Sequence, residues 1–175
     1  NLHPTEEDVL AVGCDDTTCG VYHYLRRDHL LEQRCTLATD SPRTLLPVDT
    51  LLLGLSSIHW REAWKYGERA FRYCQHDIGH AIAAVRYAAA LLGWQVKSLD
   101  HWGDDQTATI LGLDRAQDFG RAEAEHADVM LQITAGPVAA ELVSPDDLLT
   151  AARAGHWQGE ANVLSEHHSH QWPLI

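Results

Sequence analysis

Between Trp60 and Tyr73 the chain reads WREAWKYGERAFRY, and four of its thirteen Lys and Arg residues, Arg61, Lys65, Arg69 and Arg72, fall in this stretch. On a continuous helix Arg61, Lys65 and Arg69 share one face at spacing four, where like charges repel. Two readings are open. Runs of charge are usually solvated faces, and Glu68 with Arg72 at i, i+4 would neutralise part of this one. The interleaved Trp60, Trp64, Tyr66, Phe71 and Tyr73 instead suit a pocket for a flat anionic ligand, since aromatic faces stack on planar groups while cations hold negative charge.

Histidines offer a competing chemistry. His76 and His80 stand four apart with Asp77 between them and Cys74 just before, a spacing compatible with a zinc pair on a helix. The general-base Glu of an HExxH motif is missing, and no CxxC occurs to complete the ligand set. His167, His168 and His170 cluster again, in a chain with twelve histidines where chance grouping is expected. No resident metal is expected on this basis. The sequence also holds no G-x-S-x-G, Walker loop or G-x-G-x-x-G.

The elements that must position these residues are bounded by composition. At 175 residues the chain can bury one sizeable core, and 45% apolar with 22% charged residues is ordinary globular usage. A net charge of -12 argues against general affinity for nucleic acid or an anionic membrane, and no apolar run reaches the length of a membrane span. Four irregularly spaced cysteines (14, 19, 35, 74) fit reduced thiols of a cytoplasmic protein better than a disulfide framework, with a Cys14 to Cys19 bridge as the less favoured option.

Residues 6–12 and 20–25 read as a hairpin, and the apolar run from Thr50 as a third, buried strand. Helices are expected over 61–73 and 76–92, strands over 95–99 and 127–133, and short helices over 104–114 and from Ser144, before an extended tail. The class is α+β. Helix 76–92 carries Ile78, Ala81, Ile82, Val85 and Ala89 at helical spacing, with further alanines on its other sides, so it is expected to be buried along most of its length. It is either the middle of a layered core or the centre of a subunit interface.

Five strings spread from Asn1 to Asp114, NLHPTE, GVYHY with HLLEQR, REAWKYGERAFRYC, HDIGHAIAAVRYAAALLGW and ILGLD, resemble in order and spacing the nitroreductase superfamily, and within it the azoline-oxidising dehydrogenase branch. The resemblance implies an FMN-dependent oxidoreductase with a nitroreductase-like α+β fold, a mixed sheet and a central Ala-rich helix. It also implies a homodimer, or a tandem-domain equivalent, with the flavin at the interface. The substrate would be a small molecule or a peptide carrying a thiazoline or oxazoline; neither nucleic acid nor membrane is an expected partner. A flavin-free, inactive domain serving dimerisation or binding is the alternative.

Residue by residue, Lys65 and Tyr66 match the branch's catalytic Lys-Tyr pair, to which proton removal from the ring is assigned. Burial beside aromatic and cationic groups would lower the Lys65 pKa toward neutrality. Two helical neighbours diverge by about a hundred degrees, so the pair converges only if the backbone is distorted, which Gly67 facilitates. Asn1 and His3 match the second half of a loop that lies against the flavin ring, and Arg61, Gly79 and Ala81 are placed with the cofactor. Residues 1–175 thus correspond to one nitroreductase-like domain without the family's N-terminal helix and the first half of that loop, a segment of a longer polypeptide.

Overall fold

The computed structural model describes residues 3–12, 18–39, 45–136 and 142–163. Its centre is the apolar run anticipated from the sequence, strand β4 (Thr50–Ser57), which forms antiparallel ladders with β1 (Thr5–Ala11) on one side and β6 (His126–Thr134) on the other. Because side chains alternate across a strand, Leu52 and Leu55 are driven to opposite faces, and both are buried.

From β1 the sheet continues through β2 (Gly20–Leu25), β3 (Leu30–Thr36) and the two-residue β7 (His156–Trp157); beyond β6 it ends at β5 (Gln95–Ser98). Residues 6–12 and 20–25 do pair as a hairpin, with Asp8 opposite His23 and Leu10 opposite Val21. All six ladders are antiparallel, so the sheet of this α+β fold is not mixed.

One face of the sheet presents Leu10, Val21, Leu52 and Met130 to α3 (Asp104–Leu111) and α5 (Pro145–Arg153), which contribute Ile110, Leu111, Leu148 and Ala152. Each such large apolar side chain contributes about 1.5–3 kcal/mol when fully buried. Helix α5 begins where Ser144 caps it, accepting from the Asp146 amide, with Pro145 in its first turn. A one-turn helix, α4 (Ala116–Phe119), follows α3 and was not evident from the sequence.

The other face takes α1 (Trp60–Tyr66), a 3-10 turn (Gly67–Arg69) and α2 (Ala70–Leu91), about 33 Å long. The helical stretch breaks at Gly67 rather than near residues 74–75, and α2 runs through that expected boundary. Ile78 packs with Leu55 and Leu131 of the sheet, and Ala81, Ile82 and Val85 flank them. The expectation of burial along most of α2 is not met within one chain. Only Ala70, Cys74, Ile78 and Ala89 are buried, Ala84 and Ala88 are exposed, and Tyr87 and Leu91 are 75% and 89% exposed. The sheet offers α2 one side to bury against, and among the described residues no second layer lies outside it, so within them α2 is not the middle of a layered core.

Gly112 ends α3 at a φ of 76°, and a Cβ there would lie 2.2 Å from the Trp157 ring. That ring is held by its Nε1–H donating to the Ala152 carbonyl at 2.8 Å. Gly112→Ala combines a left-handed backbone with a clash against a fixed ring and should lower stability by about 2–4 kcal/mol in urea unfolding. A loss under about 0.5 kcal/mol, the scale of an ordinary surface change, would mean the ring is not fixed there.

Candidate functional site

Helix α1 is seven residues long, buries only Glu62 and Ala63, and has no side-chain cap at its start. A helix this short is marginal alone, so its placement depends on neighbours. It ends at Gly67, whose φ of 58° with ψ of -137° is accessible to glycine and strained for other residues. The chain passes through the 3-10 turn and re-enters helix at Ala70.

At the last turn of α1, just before the break, the Lys65 ammonium lies 4.9 Å from the centre of the Tyr66 ring, which in turn packs edge-on against Tyr73 at 4.7 Å. Their environment differs from the expectation. Lys65 is exposed, and hydrogen bonding to Tyr66 raises its pKa instead of lowering it, because among the described residues nothing covers the ammonium and desolvates it. Trp64 is 61% exposed, and Phe71, Tyr73, Arg69 and Arg72 are exposed beside it, a cationic and aromatic surface open to solvent. Under this surface His59 is buried, its ring 5.8 Å from Phe71 and 4.9 Å from His126.

The break takes Arg69 out of the stripe, while Arg61 and Lys65 stay one turn apart on α1. Arg61 turns toward the start of the chain, where its Nη1 donates to the His3 carbonyl at 2.7 Å and ion-pairs with Glu6 Oε1. The Ile58 amide donates to the Pro4 carbonyl at 2.7 Å alongside. His3 and Arg61 are thus brought together; Asn1 lies outside the described residues. Gly79 is exposed, with no atom within 4 Å of where a Cβ would sit, whereas Ala81 leans on the sheet-side cluster. His76 and His80 are exposed on α2, and the buried Cys74 thiol is pushed up to about 12 by burial. Among the described residues no three His, Cys, Asp or Glu side chains gather as a metal site, and His167, His168 and His170 lie outside them. Cys19, Cys35 and Cys74 are free thiols; Cys14 is outside the described residues.

Against FMN, these residues fit one wall of a site. Exposed aromatics suit the ring system, Gly79 leaves open space, and Arg69 and Arg72 are cations at the surface. Arg61 has its Nη1 engaged by Glu6 and the His3 carbonyl, so that nitrogen is not open to a phosphate. The opposing wall is not supplied by the described part of this chain.

A second concavity lies on the face of the sheet that carries Leu10. It has a volume of about 380 Å³ and is lined by Glu6, Asp8, His23, Arg26, Arg61 and Glu125 among others. Glu6 and Asp8 are buried carboxylates. Glu6 Oε2 pairs with Arg26 Nη2 at 2.7 Å and lies 3.6 Å from His23 Nε2, while His23 Nδ1 is 3.2 Å from Asp8 Oδ1. The bond to Asp8 raises the His23 pKa, and burial raises that of Asp8. Ser56 donates to Glu125, yet burial, reinforced by the Asp8 charge, pushes the Glu125 carboxyl up to about 7. The sequence reading overlooked this group, although Glu6 and Asp8 stand two apart on β1 and share the face of Leu10.

No protein-family model matches the chain, and no curated protein matches it either. Solved structures do. A chain of the E. coli microcin synthetase McbBCD complex with truncated pro-MccB17 bound is similar at 22% identity and a TM-score of 0.62, over 79% of this chain and 53% of that one. A provisionally designated nitroreductase from Anabaena variabilis follows at 19% identity and 0.60, over 93% of this chain and 37% of that one. Another, from Ralstonia eutropha, gives 18% and 0.52, over 78% and 59%. The chain therefore has a nitroreductase-like fold and spans between a third and three fifths of the length of these solved chains. No helix among the described residues is long and apolar enough to cross a membrane.

Burial raises the Glu125 carboxyl above its unfolded value of 4.5, so the folded state is favoured while the group is protonated. That stability is fully present below about pH 4.5 and is lost as the pH rises through about 7. Glu125→Gln keeps a neutral partner for Ser56 and should gain on wild type from about pH 5 to about pH 8, by on the order of 2–3 kcal/mol at the upper end. Unfolding free energies of both proteins across that range test this; a pH-independent difference would show that Glu125 ionises freely in the fold.

Proposed function

We propose that this chain is part of an FMN-dependent oxidoreductase of the nitroreductase type that dehydrogenates an azoline ring in a peptide. The observation that carries the reading is the convergence of Lys65 and Tyr66 at the Gly67 break, on an exposed surface of aromatic and cationic side chains. The fold supports the class, and the likeness to a chain of a complex holding truncated pro-MccB17 supports a peptide substrate. Fold alone does not define chemistry, so the assignment rests on the site.

The FMN-binding wall is formed by the surface around Trp64, Phe71, Tyr73, Arg69, Arg72 and Gly79, with the facing wall from a second copy or a tandem domain. FMN, when bound, supplies the hydride acceptor. Lys65 and Tyr66 remove the ring proton: Lys65 as the base, Tyr66 holding the ammonium through its hydroxyl and orienting it. An exposed lysine with a raised pKa is protonated at neutral pH and is a poor base. Covering by the partner desolvates the ammonium and lowers its pKa, so assembly and activity are coupled. The exposed Ala84, Ala88, Tyr87, Leu91 and Leu92 of α2 make the apolar surface through which a homodimer forms. The free thiols of Cys19, Cys35 and Cys74 support a reducing, cytoplasmic setting.

The engagement of Arg61 by Glu6 favours a second reading, a flavin-free dimerisation or binding domain. Absorbance of the purified intact protein separates the two: flavin bands at one FMN per chain are expected, and a colourless protein after incubation with FMN selects the second. In the flavin-loaded protein, Lys65→Ala and Tyr66→Phe should each lower azoline oxidation about a hundredfold with flavin retained. Full turnover in both would remove the pair from the chemistry. Light scattering should give a dimer, and Leu91→Glu with Tyr87→Glu should give a monomer.

A further inference from the structure

The flavin-site reading leaves α1 without an obvious anchor. Seven residues long, uncapped and burying only Glu62 and Ala63, it cannot be held by its own apolar contacts. Yet Lys65 stands one turn beyond Arg61 on this helix, and its direction is set by whatever fixes α1. The loop at His3 and Pro4 has the same problem, since His3 is exposed and adopts a φ of 43°.

Both segments meet at one carboxylate. Glu6 is buried in β1, its side chain 7% exposed, and its two oxygens are used separately. Oε1 takes Arg61 Nη1, the same nitrogen that donates to the His3 carbonyl, and Oε2 takes Arg26 Nη2 at 2.7 Å with His23 Nε2 at 3.6 Å. Arg26 stands directly after β2 and His23 lies in it, so the far side of the carboxylate is fastened to the sheet and the near side to α1. The Ile58 amide, two residues before α1, completes the join by donating to the Pro4 carbonyl.

We propose that Glu6 is a positioning residue for the candidate site: through Arg61 it fixes the start of α1 and the His3–Pro4 loop against the sheet, and so orients Lys65 and Tyr66 without touching ligand. Geometry favours this over a general stabilising role. A buried carboxylate that grips two guanidiniums in different directions defines an orientation, and charge-assisted bonds to a planar guanidinium are directional. The same geometry gives Arg61 a role other than the cofactor contact its place in the sequence implied. The kinetic part of the test rests on the flavin-site reading; the structural part does not.

The experiment compares wild type, Glu6→Gln, Glu6→Asp and, as a control on exposed β3, Glu32→Gln, in the intact protein. Native-state amide exchange should show residues 58–66 opening about tenfold faster in Glu6→Gln, with the amides of α5 and β6 unchanged. In flavin-loaded protein kcat for azoline oxidation should fall about tenfold with KM little altered, as expected when a reacting group is misaimed. Glu6→Asp, which keeps the charge, should recover part of both losses, and Glu32→Gln should alter neither. If Glu6→Gln unfolds the chain as a whole, Arg61→Gln carries the same exchange measurement, since the carboxylate then keeps Arg26 and His23. Exchange over 58–66 at the wild-type rate in a folded variant overturns the proposal, as does an increase spread evenly over the molecule. A wild-type protein that takes up no FMN sinks the flavin reading alone, and the exchange result still decides on Glu6.

Discussion

Strand β4 has partners on both edges and helices over both faces, and this two-sided burial constrains everything built around it. Leu52 must meet α3 and α5, and Leu55 must meet α2, so a helical layer on each side of the sheet follows from the apolar run at Thr50–Ser57. The layers are unequal in consequence. On the α3 and α5 side the core closes over itself, with Leu148 and Ile110 fully buried. On the α2 side one long helix covers the sheet, and among the described residues nothing covers the helix. The described part of the chain thus has a finished face and an unfinished one.

The unfinished face is also where the backbone departs from regularity. A straight helix from Arg61 to Leu91 would place Arg61, Lys65 and Arg69 in one row and send Tyr66 to another side. The break at Gly67 takes Arg69 out of that row and lets Tyr66 reach Tyr73, while on α1 itself Arg61 is held inward by Glu6 and Lys65 lies over Tyr66. One glycine in a conformation costly for other residues thereby divides a row of like charges.

Much of this architecture is legible in the residues. The hairpin of β1 and β2, the buried β4 and the capped α5 follow from alternation, a continuous apolar run and Ser144 before Pro145. Strand β3 does not, because Leu30–Thr36 reads LLEQRCT, with Leu30 and Leu31 exposed and no apolar alternation; it is strand because β2 offers it an edge. The helix boundary differs because a lone Gly and a polar stretch weigh alike in sequence, whereas of the two glycines inside the stretch, Gly67 and Gly79, it is Gly67 that has a positive φ. For the site, the adjacency of Lys65 and Tyr66 is visible in sequence, but burial of Lys65 is a property of what covers it. The convergence of Glu6, Arg26 and Arg61 joins residues up to fifty-five positions apart and leaves no local signal.

The exposed Lys65 and the exposed outer side of α2 have a common physical origin. Within a single chain the ammonium is solvated and hydrogen-bonded to Tyr66, which favours its charged form. To act as a base it must lose water, and the only way to remove water from an outer surface is to lay another surface on it. Alanines at 84 and 88 permit close approach of a partner backbone, while Tyr87 and Leu91 supply apolar area that favours it. A partner laid on this face would bury the apolar side of α2 and, if it extended over α1, would also dry Lys65; under the proposed reading the reactive state is then a property of the assembly.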